Sequence, residues 1–199
     1  AWCEVTSFEI IEIGQFETTS IRRKAPRELL VATYGTGEVR IGDRLNVLRE
    51  PQFLAIPDEV EEVRLAGTSR PVQFVRFCGQ WGPEVFGCGT FRVSFAERSI
   101  FVGDPVTYPK TTSFDSHYHD YDEYFVILEG SGTVVIGDAS YRVRPGDCIP
   151  LGAGHHHDIP LIDAPLKAAY LETTGFGQKR LGHLWNYAHG QAVPQPGRV

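Results

Sequence analysis

The chain has 199 residues, of which 42% are hydrophobic and 22% charged, and it carries a formal charge of −6. This acidic balance disfavours a general affinity for nucleic-acid phosphates, and no run of roughly 18 apolar residues is present to form a membrane helix. The expected partner is therefore a small-molecule substrate, with no nucleic acid and no membrane. The opening residues Ala1-Trp2-Cys3-Glu4-Val5 lack a basic stretch followed by an apolar core, so a cytoplasmic location is expected.

From the N-terminus onward, 21 glycines and 13 prolines separate short β-branched and aromatic runs. Gln73-Phe74-Val75-Arg76-Phe77, Thr90-Phe91-Arg92-Val93-Ser94-Phe95 and Tyr124-Phe125-Val126-Ile127-Leu128 all read as strands bounded by turns. Helical periodicity is weak, its best instance being residues 58–65. Cys3, Cys78, Cys88 and Cys148 include no Cys-x-x-Cys pair, so a zinc ribbon is disfavoured. Free thiols are expected, with a Cys78–Cys88 bridge as the alternative. The fold class is all-β.

An internal repeat organises the chain. Gly35-Thr36-Gly37-Glu38-Val39-Arg40-Ile41-Gly42-Asp43 recurs as Gly130-Ser131-Gly132-Thr133-Val134-Val135-Ile136-Gly137-Asp138. Glu28 precedes the first copy as Glu123 precedes the second, and Ala55-Ile56-Pro57 corresponds to Cys148-Ile149-Pro150. Two copies of one β unit are expected, over residues 1–82 and 83–199.

All 7 histidines lie in the second copy. His117 and His119 stand at i and i+2 and share a face if the segment is a strand, while Glu123 is a further even step along. Pro150-Leu151-Gly152-Ala153-Gly154-His155-His156-His157 then delivers more histidines, of which His155 and His157 would share a face and His156 would point away. Neutral imidazoles with one carboxylate suit one divalent transition metal, Fe, Mn, Ni, Co or Zn, and leave coordination positions open.

With these residues the chain resembles the cupin superfamily. His117-x-His119-x-x-x-Glu123 followed by Gly130 matches the first cupin motif, and Pro150-x-Gly152-x-x-His155 matches the core of the second. Gly146 stands closer to Pro150 than is usual, which leaves both His155 and His157 as candidates to complete the site. The resemblance implies a bicupin, two cupin-type jelly-roll β-barrels in one chain. The first barrel would be degenerate, because Arg22 and Lys24 replace the two histidines and Glu28 would make an ion pair beside them. The second would bind metal.

Weaker expectations concern the surroundings. Phe125, Ile127 and Cys148 would line the interior, while Tyr118, Asp120 and Asp122 would face away from the metal. His157, where not a ligand, and Glu172 are the candidate catalytic acid/base residues. The alternative for Glu172 is an edge carboxylate paired with Lys179 or Arg180. The aromatic tail over residues 182–190 would cover a barrel mouth or a neighbouring subunit, giving a homodimer, and its His183 and His189 need not bind metal.

The resemblance spans sugar isomerases, lyases, dioxygenases and decarboxylases. The polar inventory favours an enzyme acting on a small hydroxylated compound, a sugar or sugar acid, by metal-assisted proton transfer of isomerase or lyase type. One alternative is a non-haem Fe(II) dioxygenase of a small aromatic or organic acid, with Phe114, Phe125, Ile127 and Trp185 supplying an apolar cavity. Another is a non-catalytic metal- or ligand-binding module.

Overall fold

The computed structural model describes residues 2–96, 103–175 and 180–198. It divides into two compact units, one over Cys3–Thr90 and the other over Phe91–Val199 with Ala1–Trp2. Among the described residues no helix is long and apolar enough to cross a membrane.

The Cys3–Thr90 unit contains β1 (Val5–Ile13), β2 (Thr18–Arg22), β3 (Arg27–Tyr34), β4 (Thr36–Ile41), β5 (Arg44–Arg49), β6 (Phe53–Ile56), β7 (Glu62–Gly67) and β8 (Val72–Gly79). They form two sheets in the orders β1-β8-β3-β6 and β2-β7-β4-β5. Leu30, Val39, Leu48, Ile56, Leu65 and Phe74 pack into one core with Ala32, each of the larger side chains contributing roughly 1.5–3 kcal/mol on burial. Residues 58–65, the best instance of the weak helical periodicity in the sequence, form a turn followed by β7. Val60 donates its N–H to the Pro57 carbonyl at 3.0 Å, after which Val63 and Leu65 are buried while Glu62 and Arg64 are exposed. That period of two belongs to a strand.

The second unit contains the end of β9 (Gly87–Val93), then β10 (Tyr121–Ile136), β11 (Ala139–Val143), β12 (Cys148–Leu151), β13 (His157–Gly175) and the short α1 (Asn186–His189). The sheet order is β11-β10-β13-β9, with β12 also pairing to β10. β10 and β13 run antiparallel through several register shifts, and such bulges bend a strand and turn its side chains. Phe125, Ile127, Val134, Ile149, Leu151, Ile159 and Leu166 form the core.

The expectation of two closed jelly-roll barrels holds only as far as an all-β fold. Among the described residues no sheet closes on itself and each retains two edges. A closed barrel needs its terminal strands to pair, whereas β10 and β13 spend most of their length on each other. The local pairings nevertheless recur. Glu28 faces Ile56 and Gly37 faces Leu48, as Glu123 faces Leu151 and Gly132 faces Val143. Gly35 and Gly130 adopt φ of 72° and 73°, with a Cβ at either position falling 2.4 Å from the Pro71 carbonyl oxygen or 2.2 Å from that of Pro165. Only glycine fits both the conformation and the approach.

None of the four cysteines is in a disulfide, Cys78 and Cys88 being buried and Cys3 and Cys148 half-buried. Cys148 does not join the core as expected. Alternation along β12 turns Ile149 and Leu151 inward and leaves Cys148 in an outer groove with Tyr141 and Arg142.

Candidate metal centre

Two short segments and β10 bring the candidate ligands together. The backbones of His117 and His157 exchange hydrogen bonds of 3.2 and 2.8 Å, and the Gly154 N–H donates to the His119 carbonyl at 2.7 Å. A bend at Asp120 separates His119 from β10, so Glu123 arrives on a different element from the histidines instead of on a continued strand. Ligand atoms of His117, His119, Glu123 and His157 all lie within 4.8 Å of one another, and all four residues are buried.

Their hydrogen bonding leaves this cluster unsatisfied from within. The Nδ1 of His117 lies 2.9 Å from the Asp115 carbonyl oxygen, and that of His157 lies 3.2 Å from the His155 carbonyl oxygen. Each ring therefore donates from Nδ1 and turns the lone pair of Nε2 to the centre. Those two Nε2 atoms, both ring nitrogens of His119 and Oε2 of Glu123 are buried without a hydrogen-bond partner among the described residues. Buried polar atoms are rarely left so, and one such atom from each of the four residues, all within 4.8 Å of one another, fits a cation.

Electrostatics agree. Burial and the neighbouring His157 push His117 down to about 3, and burial also lowers His119 against the pull of Glu123, so both favour the neutral form that ligation requires. Burial alone would raise Glu123, but His119 and His157 hold it below the usual carboxylate range.

His155 stands outside the cluster, its Nε2 3.4 Å from the Gln195 carbonyl oxygen. It precedes the start of β13, so the strand alternation that would have placed it beside His157 does not apply. His156 turns away, as expected, to Asp104 at 2.7 Å. His189 lies apart from the centre, with Nδ1 accepting the Trp185 N–H at 3.0 Å.

Glu172 sits directly across from Glu123 in the β10–β13 register. Burial and the charge of Glu123 push its carboxyl up to about 7 despite a hydrogen bond from Tyr121. The Tyr121 ring stacks on His119 with centroids 4.6 Å apart. Arg180 does not pair with Glu172: its N–H donates to Asp120 at 3.2 Å and its guanidinium to the His189 carbonyl at 3.1 Å. Lys179 lies outside the described residues.

Three contributors escaped the sequence reading. The His183 ring stacks on His117 at 3.7 Å and 5°, and its Nδ1 lies 3.0 Å from Asp115. Asp115 also accepts the Trp185 indole N–H at 3.0 Å. Asp122, expected to face away from the metal and to be solvated or engaged in a turn, is fully buried and accepts the Ala153 N–H of the 152–154 turn at 2.9 Å. The signal for the first was an aspartate two residues before His117, which has no meaning without the tail folded over it. On the other flank, Phe91, Phe114 and Phe125 cluster, with Phe114 5.6 Å from His117 and Phe125 6.0 Å from His157.

In the Cys3–Thr90 unit the corresponding carboxylate is used differently. Glu28 pairs with Arg76 at 2.6 Å, both side chains 1% exposed, instead of with Arg22 or Lys24. Its other oxygen accepts the N–H groups of Lys24 at 2.6 Å and Ala25 at 3.1 Å. Arg22 turns outward to Glu62 at 3.6 Å, and Lys24 pairs with Glu9.

Residues 106–167 match the family model described as a cupin domain. Over its full length the chain is 43% identical to the uncharacterized protein y4oW of Sinorhizobium fredii, covering 91% of that protein. Its fold is similar to a variant of the Bacillus subtilis oxalate decarboxylase OxdC, with TM-score 0.58 and 9% identity, over 89% of this chain and 70% of that one. It is also similar to AerE from Microcystis aeruginosa, with TM-score 0.55 and 12% identity, over 84% and 87% of the two chains.

Proposed function

We propose, from the cupin domain matched over residues 106–167, that the chain is a metal-dependent enzyme acting on a small hydroxylated compound, a sugar or sugar acid, by proton transfer of the isomerase or lyase type. The observation that carries this reading is the Glu172 carboxyl, half-buried across the β10–β13 ladder from Glu123 and pushed up to about 7. A group poised near neutrality can take a proton and return it. His117, His119, Glu123 and His157 would hold one divalent ion among Fe, Mn, Ni, Co and Zn. When bound, that ion supplies Lewis acidity to a carbonyl or hydroxyl oxygen.

Glu172 in its carboxylate form receives the substrate proton, with the Tyr121 hydroxyl orienting it. His157 does not share this role in our reading, because its Nδ1 is committed to the His155 carbonyl and its Nε2 turns to the ligand cluster. The first repeat is read as a metal-free scaffold, since both oxygens of Glu28 are engaged by Arg76 and backbone N–H groups.

Glu172→Gln is the test. Assayed under nitrogen with the Mn, Ni or Co forms against aldoses, ketoses and sugar acids, it should retain stoichiometric metal and lose roughly 10²–10⁴-fold in kcat. Turnover equal to that of the parent would remove Glu172 from the chemistry.

One observation favours a second reading. The Phe91, Phe114 and Phe125 rings form an apolar wall beside His117 and His157, which would suit an Fe(II) dioxygenase of a small aromatic or organic acid. Oxygen uptake restricted to the Fe(II) form would establish it over the first. A metabolite that raises the melting temperature without turnover in any metal form would instead make the protein a binding module.

A further inference from the structure

Building on the reading of His117, His119, Glu123 and His157 as metal ligands, we infer that residues 193–198 form a strap that fixes this ligand set, with Arg198 its positioning residue and Asp122 its anchor. Asp122 precedes the ligand Glu123 and is fully buried. One of its oxygens accepts the Ala153 N–H at 2.9 Å, and the other is paired with the Arg198 guanidinium. A single carboxylate thus ties the start of β10 to the 152–154 turn that leads into His157. The same turn holds His119 through the Gly154 N–H at 2.7 Å.

The strap also grips the turn through its backbone. The Gln195 N–H donates to the Ala153 carbonyl at 3.0 Å, and the Gln195 carbonyl oxygen lies 3.4 Å from His155 Nε2. A Cβ on Gly152 would fall 2.1 Å from the Arg198 carbonyl oxygen, and one on Gly154 2.0 Å from that of Val193. The two glycines let the strap lie flush on the turn. Arg198 is itself held over the Trp2 ring at 5.6 Å, and that ring lies 6.3 Å from Tyr124, next to Glu123.

The strap keeps His157, His119 and Glu123 at their mutual distances by clamping the two segments that carry them. Without Arg198 the buried Asp122 loses its charged partner and is drawn towards water, taking Glu123 with it. Outer contacts of this kind typically control metal affinity by about 10–100-fold.

The test uses the full chain loaded with one equivalent of Co(II), whose visible spectrum reports ligand geometry and whose release is followed with excess EDTA. Arg198→Ala should release Co(II) about 10-fold faster with an altered spectrum, and Arg198→Lys, which restores the charge, should recover most of the parent behaviour. Gly152→Ala offers a second route should Arg198→Ala not fold. Its φ lies outside the left-handed region, so its methyl group meets chiefly the strap, and it too should speed release. Unchanged spectra and release rates in the folded variants, or Arg198→Lys behaving as Arg198→Ala, would overturn the strap. Failure of the parent itself to bind Co(II) would instead overturn the ligand reading on which the strap depends.

Discussion

His157→Ala should abolish stoichiometric metal binding while His155→Ala keeps it, as measured by elemental analysis after dialysis against a mild chelator. His157 lies in the buried cluster with a bare Nε2, whereas the His155 ring reaches the Gln195 carbonyl outside it. Removing a ligand should exceed the roughly 10–100-fold loss of affinity that follows loss of a supporting contact. His117→Ala and Glu123→Ala should match His157→Ala. Full metal retention in all three would end the assignment of the centre to these residues, and metal loss in His155→Ala would mean that the 152–157 loop rearranges on loading.

The second large effect lies in the Cys3–Thr90 unit. Arg76→Met should destabilise the protein by about 3–5 kcal/mol, because it leaves Glu28 as a buried carboxylate without its counter-charge. The Arg76 guanidinium meets Glu28 at 2.6 Å, Glu9 at 2.9 Å and the Arg22 carbonyl at 2.5 Å, so one truncation undoes three contacts. Urea unfolding followed by the fluorescence of Trp81, buried in the same unit, reads the change. The double variant Glu28→Leu/Arg76→Met should recover part of the loss, since an apolar pair of similar volume often replaces a buried ion pair without penalty. A single-variant effect within about 1 kcal/mol would place the Glu28–Arg76 pair in the class of weak surface pairs.

Much of this was legible in the sequence because strands display their faces with period two. His117 and His119 could be placed together on that ground alone, and Glu123 by even spacing. The spacing succeeded for Glu123 even though its premise failed, since the chain bends at Asp120 before β10 begins. For His155 and His157 the same argument could not decide, because it required knowing where β13 starts. Residues 58–65 misled because a short acidic run carries too few apolar positions to separate the two periods. Sheet closure was not legible either, since alternation tells which side of a strand is buried and not which strand lies at its edge.

The remaining gaps share one cause. Arg76 reaches Glu28, Arg198 reaches Asp122 and His183 reaches Asp115 across long stretches of chain, and nothing local to either partner encodes the meeting. Alternation set Asp122 on the face away from Glu123 without telling whether water or a turn meets it there, and the far side of β10 is covered as well.

The Glu28–Arg76 pair also bears on what a chelator can reach. Both units bury a carboxylate at the matching place, but the Cys3–Thr90 unit answers it with a guanidinium tethered to β8, while the second unit surrounds it with imidazole nitrogens that could hold an ion. The first cation is part of the chain, whereas an ion held by the second cluster would be exchangeable. Histidines engineered at positions 22 and 24 would therefore not convert the first unit into a second metal centre, because the carboxylate they need already has its resident cation.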